Sequence, residues 1–213
     1  MPPQLADLTT AVAAGKRKDT ARLTQELLDA NVEPQVIVEE GLVPGMSIIG
    51  EKFAANEIFV PEMLIAARSM KGALALLEPL LADAGVTPEH TVVIGTVQGD
   101  LHDIGKNLIA MMWKGAGFEV IDLGTNVAPE KFLAAAQEHK AAVVGLSSLL
   151  TTTMPAMREV VKVLREAGLT DTKIVVGGAP ITPAFAEEIG ADGYAPDAGS
   201  AVAVARDLIG IST

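Results

Sequence analysis

The period of the apolar residues changes once along this chain, near residue 90, and this change limits the folds available to it. Before that point apolar residues recur at helical spacing and no segment is a plausible strand. After it, five short β-branched runs alternate with amphipathic segments. A helical stretch followed by strand–helix alternation predicts two domains, one purely helical and one built on a parallel sheet.

The first 86 residues are predicted to form a bundle of four antiparallel helices. Gly15, the segment 31–34 and the pair Asn56-Glu57 interrupt the helical periodicity. Pro34 and Pro61 suit the first turn of a helix, where the missing N–H costs nothing. Short loops between helices of this length are typical of up-and-down bundles. We therefore expect a helical domain over 1–86.

The remainder of the chain is predicted to be an α/β domain over 90–213. Strands are predicted at 91–97, 118–123, 142–147, 173–178 and 192–195, and helices near 103–116, 129–139, 153–167, 181–190 and 198–209. Such units form a parallel sheet with helices on both faces and right-handed crossovers. The flavodoxin-like (Rossmann-type) order 2-1-3-4-5 is expected. Residues 85–89 are the predicted linker.

Composition excludes several classes of function. A net charge of −11 argues against nucleic acid or an anionic membrane as the main partner. The absence of cysteine excludes disulfides, thiolate zinc sites and cysteine nucleophiles. No apolar run reaches the roughly 18 residues of a membrane span, and the first residues lack the pattern of a signal peptide. We expect a soluble, cytoplasmic protein.

Small and hydroxylated residues follow the predicted strands. Parallel strands open on one edge of the sheet, where open α/β folds bind their ligands. Glycine lets a ligand approach the backbone closely, and serine or threonine adds hydrogen bonds without bulk. This edge favours a long, flat or threaded ligand. The five strand ends read 98–102 (QGDLH), 124–126 (GTN), 147–153 (SSLLTTT), 177–180 (GGAP) and 195–198 (APDA).

His102 is the candidate metal ligand at this edge. It lies between the first predicted strand and the following helix, and neutral imidazole is a common ligand of transition metals. Asp100, two residues earlier, could hold the ring by its other nitrogen. The alternative is a histidine that caps the helix, with Asp100 in an Asx turn and Thr153 as the N-cap of a later helix.

Other ligands of α/β sheets fit the sequence less well. Neither G-x-G-x-x-G nor G-x-x-x-x-G-K-[ST] occurs, so dinucleotide and P-loop sites lack their phosphate cradles. A response regulator needs an aspartate where the third strand ends in Ser147. A zinc hydrolase needs three or four ligands, whereas the only histidines are His90, His102 and His139.

Three spaced motifs resemble the signature of cobalamin-binding proteins, D-x-H-x-x-G, S-x-L and G-G. They are Asp100-x-His102-x-x-Gly105, Ser147-x-Leu149 and Gly177-Gly178. The segment from Gly45 to Met70 is similar to the helical cap of corrinoid modules that transfer methyl groups. The resemblance covers essentially the whole chain. It is to stand-alone corrinoid proteins of methylamine, methanol and O-demethylase systems and to the cobalamin-binding module of methionine synthase.

The resemblance implies roles for particular residues. His102 would be the lower axial ligand of cobalt, displacing the nucleotide base of the cofactor (base-off, His-on). Asp100 would be its partner, and Thr153 would extend this relay. The implied cofactor-binding residues are Gly99, Asp100, His102, Asp103, Ile104, Gly105, Ser147, Leu149, Thr151, Thr153, Gly177, Gly178, Ala198, Met63 and Ala67.

These residues would serve different parts of the cofactor. Ser147, Leu149 and Thr151, with Gly177-Gly178, would line a slot for the displaced nucleotide tail. Ala198 would lie near the base of that tail. Asp103, Ile104 and Gly105 would contact the corrin edge. Met63 and Ala67 of the helical domain would face the upper side of cobalt.

The resemblance also implies a function, that of a corrinoid methyl carrier. The protein would accept a methyl group on Co(I) from a substrate-specific methyltransferase. A second methyltransferase would pass the group to an acceptor such as tetrahydrofolate or a thiol, and a reductive activation protein would restore the cofactor. The chain would then be a subunit of an enzyme system, and the cofactor would supply the chemistry.

Two other functions share part of this signature. The cobalamin subunit of an adenosylcobalamin-dependent mutase carries D-x-H-x-x-G but is not expected to carry the four-helix cap. A cobalamin-dependent sensor needs an output domain, and the chain has neither a basic helix nor spare length. The sequence does not identify the methyl donor.

Overall fold

The computed structural model describes residues 3–84 and 88–211. Two compact units divide the described residues, one reaching residue 88 and including 114–117, the other formed by 89–113 and the residues from 118 onward. Within the predicted linker, Gly85, Val86 and Thr87 lie outside the described residues.

The first unit is helical, as the apolar periodicity predicts. Four helical segments precede the first strand in the described part of the chain. Leu5, Leu8, Leu27 and Leu42 are fully buried in their core. The third segment contains a π-helical stretch that the sequence did not indicate. The segments are α1 (Pro3–Ala13), α2 (Arg17–Asp29), α3 (Pro34–Val36) continued by the π-helical Ile37–Leu42 and α4 (Val43–Ala54), and α5 (Val60–Asp83).

The second unit is a five-stranded parallel sheet in the order β2-β1-β3-β4-β5, which confirms the predicted flavodoxin-like fold. None of the described helices combines the length and apolar character needed to cross a bilayer. The strands are β1 (Thr91–Thr96), β2 (Glu119–Asp122), β3 (Val143–Ser147), β4 (Lys173–Gly177) and β5 (Gly193–Ala195), and the helices are α6 (Ile104–Gly115), α7 (Pro129–Glu138), α8 (Met154–Glu166), α9 (Pro183–Ile189) and α10 (Ala198–Ile209).

Each face of the sheet places a buried aromatic ring over a strand glycine. On one face a Cβ at Gly145 would lie 2.6 Å from the indole of Trp113. On the other a Cβ at Gly95 would lie 2.8 Å from the ring of Phe132. Gly145 and Gly95 belong to neighbouring strands, since Gly95 pairs with Leu146. The two glycines therefore bring α6 and α7 close to opposite faces of the sheet.

At the carboxyl edge of the sheet, the loop after β4 lies directly against the loop after β3. Gly178 has φ of +131°, and a Cβ there would lie only 1.8 Å from the carbonyl oxygen of Ser148. The amide of Ser148 in turn donates to the carbonyl of Gly177, at 3.2 Å. Glycine at 178 is thus required both by the backbone angle and by the close approach of the two loops.

We expect Gly178→Ala to lower the free energy of unfolding by more than about 3 kcal/mol, because the methyl group would displace backbone as well as strain φ. Chemical denaturation of the purified protein measures this loss. Gly168→Ala is the matched control, since Gly168 also has a positive φ, +79°, but open space around it. That control should lose only about 1–2 kcal/mol, and equal losses in the two variants would contradict the packing argument.

Candidate functional site

The carboxylate of Asp100 is completely buried just beyond the end of β1 and accepts four hydrogen bonds. Its Oδ1 accepts from the amide of His102 at 3.0 Å and is 2.9 Å from His102 Nδ1. Its Oδ2 accepts from the amide of Leu149 at 2.7 Å and from the hydroxyl of Thr153 at 3.0 Å. The carboxylate therefore joins the loop after β1 to the loop after β3.

These bonds keep Asp100 ionised. Burial alone would raise the pKa of this carboxyl group. The amides of Leu149 and His102 oppose that effect most strongly, followed by the imidazole of His102 and the hydroxyl of Thr153. Together, these four hydrogen bonds outweigh the effect of burial and hold the pKa of Asp100 well below its ordinary value. The group is therefore an acceptor only, and each neighbour must donate to it.

This environment fixes the tautomer of His102. Because Asp100 can only accept, Nδ1 carries the proton and Nε2 keeps its lone pair. The side chain is 53% exposed, and Nε2 makes no hydrogen bond to any residue that the structure describes. The carbonyl oxygen of His102 accepts a hydrogen bond from the hydroxyl of Thr96 at 2.8 Å. This bond fixes the loop to the end of β1. The imidazole does not cap α6; its Nε2 has no partner among the described residues at the sheet edge.

The relay continues beyond Thr153 to a residue that the sequence analysis did not single out. Ser148 Oγ lies 2.8 Å from Thr153 Oγ1 and is also buried. Thr153 precedes α8, but its side chain makes no capping bond there; its hydroxyl bonds to Asp100 instead. Asp100 itself forms the Asx-type bond to the amide of His102, so both sequence interpretations of Asp100 apply.

An ion pair between a buried lysine and an exposed aspartate lies beside the same loop. The side chain of Lys106 is 2% exposed, and its Nζ lies 2.6 Å from both carboxylate oxygens of Asp122. It also donates to Asn107 Oδ1 at 2.7 Å, and Asn107 Nδ2 donates to Asp103 Oδ2 at 3.1 Å. The sequence analysis missed this pair. The available signal was a lysine in the first turn of a helix beside an aspartate at the end of the neighbouring strand.

Exposed apolar side chains surround the imidazole. Leu101 and Ile104 are 74% and 73% exposed on either side of His102, and Leu149 and Leu150 are also exposed. Gly105 has open space where a Cβ would be, so no described residue explains its lack of a side chain. An apolar rim around one ligand nitrogen, with a bare backbone beside it, fits a large flat ligand that lies across the edge of the sheet.

A narrow slot enters the sheet next to this rim, on the α6–α10 face. Its enclosed space is about 10 Å³, room for about one water molecule, and the rest of the opening is exposed to solvent. The surface that lines the slot is apolar. Among its described lining residues, Trp113 has an indole N–H that donates to the carbonyl of Ala201, and Ser147 has a hydroxyl that makes no hydrogen bond within the described chain. The lining residues are Ile94, Ile109, Trp113, Gly145, Leu146, Ser147, Val175, Val176, Gly177, Ala195 and Ala201.

Several of the predicted site residues thus lie close together. Asp100, His102, Leu149 and Thr153 are joined by hydrogen bonds, and Ser147 and Gly177 line the slot.

The other predicted residues have varied surroundings. Gly99 has φ of +86° and donates to Asn126 Oδ1 at 2.8 Å. Thr151 is exposed, and Ala198 is buried at the start of α10. Met63 and Ala67 belong to α5 in the other unit, where Met63 is buried in the helical core. Their contact with a cofactor stays a prediction.

The donor set distinguishes between kinds of metal site. No cluster of three or more His, Cys, Asp or Glu side chains occurs in the described ranges, 3–84 and 88–211. These residues therefore offer no complete protein cage of the zinc type. A single imidazole suits a metal whose other ligands come from a cofactor.

Two parts of the chain match protein families that are described as B12 binding domains. One match covers residues 90–203 and the other covers residues 4–78. The first includes the sheet edge with Asp100 and His102, and the second includes most of the helical unit.

Two corrinoid proteins are similar to this chain over nearly its full length. The chain is 41% identical over 210 residues to a corrinoid protein of Desulfitobacterium hafniense (strain Y51), with 97% of each chain covered. It is 40% identical over 207 residues to dimethylamine corrinoid protein 1 of Methanosarcina acetivorans, with 96% of this chain and 97% of the relative covered.

A solved structure has the same fold over the whole chain. The methanol:cobalamin methyltransferase complex MtaBC from Methanosarcina barkeri matches with a TM-score of 0.85 at 28% identity, covering 100% of this chain and 81% of that chain. A cobalamin-binding protein from Desulfitobacterium hafniense DCB-2 matches with a TM-score of 0.81 at 29% identity, covering 96% of this chain and 98% of that chain.

We expect Asp100→Asn to lower the free energy of unfolding of the cofactor-free protein by about 2–4 kcal/mol. The side-chain NH₂ of asparagine would replace one carboxylate oxygen, and the buried donors that bond to that oxygen would lose their acceptor. Chemical denaturation at neutral pH measures the loss. Asp103→Asn is the control on the same loop, since Asp103 is exposed and bonds only Asn107; it should stay within about 0.5 kcal/mol of the wild type. Similar losses would contradict the central place of Asp100.

The cost of Asp100→Asn should also depend on pH. The pKa of Asp100 is lowered in the folded protein, so its stabilising effect is full above the ordinary pKa of about 3.9 and is lost as the pH falls towards the folded value. The difference in unfolding free energy between wild type and variant should narrow as the pH falls below about pH 4. A difference that persists unchanged at pH 3 would argue against an ionised, hydrogen-bonded Asp100.

Proposed function

From the finding that this chain belongs to the B12-binding corrinoid proteins of methyltransferase systems, we propose that it is a methyl carrier. Its cofactor is a corrinoid, and it works with a methyltransferase as its relatives do. The bound corrinoid supplies a cobalt centre that takes up and releases the methyl group. The protein holds that centre, sets its lower ligand and shields it from water.

The observation that carries this proposal is the arrangement of His102. A carboxylate that can only accept holds Nδ1, while Nε2 stays unpartnered on an apolar surface. We assign Nε2 as the lower axial ligand of cobalt. Asp100 accepts a hydrogen bond from Nδ1 and so orients the ring with Nε2 directed away from it, and Thr153 and Ser148 in turn hold the carboxylate. The cofactor is then bound with its own base displaced, in the base-off, His-on state.

The residues present suit the remaining parts of a corrinoid. The exposed side chains of Leu101 and Ile104 offer an apolar support for the flat ring, and Gly105 leaves room for its edge. The displaced nucleotide tail enters the slot between the sheet and helices α6 and α10, which has to widen to hold it. There Gly177 allows close backbone approach, and Ser147 has a hydroxyl without a partner.

The transfer reaction needs other proteins. None of the described residues that line the slot carries an ionisable side chain that could act on a methyl donor. A substrate-specific methyltransferase therefore selects the donor. A second methyltransferase delivers the methyl group to an acceptor such as tetrahydrofolate or a thiol, and a reductive activation protein returns oxidised cofactor to use.

We expect His102→Ala to remove the nitrogen ligand of cobalt while leaving the fold intact, since the side chain is half exposed. Electron paramagnetic resonance of the Co(II) form measures this directly. When the protein is loaded with cobinamide, a corrinoid that has no nucleotide base of its own, the wild type should show splitting from one coordinated nitrogen, and the variant should not. Methyl transfer by the variant in the reconstituted system should fall by at least about tenfold, because the lower ligand and its orienting shell are both lost.

His139→Ala is the matched control, because His139 lies at the C-terminal end of α7, at the opposite end of the sheet from the candidate site. Its spectrum should equal that of the wild type. Nitrogen splitting that survives in His102→Ala would overturn the assignment of the lower ligand but not the binding of a corrinoid.

A further inference from the structure

Asn126, in the loop after β2, is bonded twice to the loop that carries Asp100 and His102. Its backbone amide donates to the carbonyl oxygen of Asp100 at 2.9 Å, and its side-chain Oδ1 accepts from the amide of Gly99 at 2.8 Å. One of these bonds lies before the Cα atom of Asp100 along the chain and the other lies after it. A single residue outside the D-x-H-x-x-G, S-x-L and G-G motifs therefore holds the segment Gly99-Asp100 at two points.

The backbone around Asn126 is itself firmly placed. Its φ is +53°, in the left-handed region that asparagine adopts more readily than most residues. The loop continues the pairing with the end of β1, since the amide of Thr96 donates to the carbonyl of Gly124 at 2.9 Å and the amide of Val127 donates to the carbonyl of Thr96 at 3.0 Å. Asn126 thus lies between two anchored points of the loop after β2.

The position of Asp100 is thereby set from two neighbouring strands. The loop after β3 binds its carboxylate through Leu149 and Thr153, and the loop after β2 binds its backbone through Asn126. His102 follows two residues later and takes its orientation from Oδ1 of Asp100. A shift of the Asp100 backbone would therefore be passed directly to the imidazole.

We propose that Asn126 is a positioning residue for the cobalt ligand, which acts through Asp100 to set where Nε2 of His102 meets the metal. This inference rests on the proposed function, because it takes Nε2 as the lower ligand. A metal site depends on how precisely its ligand is placed, and residues that hold the ligand from behind tune the affinity for the metal.

The role of the Asn126 side chain is one of position rather than of stability. Asn126 and Gly99 are both exposed, so water can replace Oδ1 as the acceptor for the Gly99 amide. Loss of the side chain should therefore change the free energy of unfolding little. It should, however, leave the segment Gly99-Asp100 held at one point, about which it can turn.

Titration of the cofactor-free protein with Co(II) cobinamide measures this role. In Asn126→Gly the positive φ and the backbone amide are kept, and only the side-chain acceptor is removed. We expect this variant to bind cobinamide about three- to tenfold more weakly than the wild type, the usual worth of one hydrogen bond. The bound Co(II) should also show a reduced nitrogen splitting in electron paramagnetic resonance.

Two further variants serve as controls. Asn126→Asp keeps an oxygen that can accept from the Gly99 amide, so it should restore the splitting and bind within about twofold of the wild type. Asn31→Gly is the matched substitution in the helical unit, because Asn31 is also exposed and has φ of +59°. It should bind cobinamide as the wild type does.

A double-mutant cycle with His102→Ala distinguishes positioning from direct contact with the corrin. Because Asn126 is inferred to act through the imidazole, Asn126→Gly should cause no further loss of cobinamide affinity once His102 is replaced. An equal loss in both backgrounds would overturn the inference, since it would indicate that Asn126 touches the ring itself.

The remaining outcomes separate this inference from the proposed function. Wild-type affinity and wild-type nitrogen splitting in Asn126→Gly would overturn the positioning role. A loss that Asn126→Asp shares would overturn the hydrogen bond to Gly99 as its cause. A wild type that does not bind cobinamide would overturn the proposed function itself.

Discussion

The buried carboxylate of Asp100 is the interaction on which the rest of the candidate site depends. A buried charge is tolerable only when hydrogen bonds replace its hydration, and here the donors come from His102, Leu149 and Thr153. The loop after β1 and the loop after β3 therefore cannot move independently. The same bonds that stabilise the charge also decide which nitrogen of His102 is free and where it lies.

Much of the fold could be predicted because buried parallel strands are continuous apolar runs with clear ends. The second strand was predicted at 118–123 and lies at Glu119–Asp122, and α10 was predicted at 198–209 and lies at Ala198–Ile209. The strand order follows from general rules of crossover handedness and connection. The π-helical stretch Ile37–Leu42 was not predicted. A single turn with wider hydrogen-bond spacing changes the pattern of apolar residues too little to be told apart from an α-helix in the sequence.

The site was predicted only in part, for a reason that Ser147 and Ser148 illustrate. Adjacent residues at the end of a strand point to opposite sides, and the motif draws attention to Ser147 alone. In the structure Ser147 lines the slot, whereas Ser148 bonds Thr153. The pair Lys106 and Asp122 was also missed. Sixteen residues separate them in sequence, and they meet only because α6 packs beside β2.

Ser147 and Ser148 also mark the boundary between two environments. The surface that lines the slot is apolar, whereas the relay on the other side is charged and hydrogen-bonded. The wall between them is a single stretch of backbone, which Gly178 supports by packing against the carbonyl of Ser148. A group that enters the slot therefore meets the segment that holds Thr153 on Asp100. Because this segment has so little freedom, the shape of the slot and the orientation of His102 depend on one rigid support.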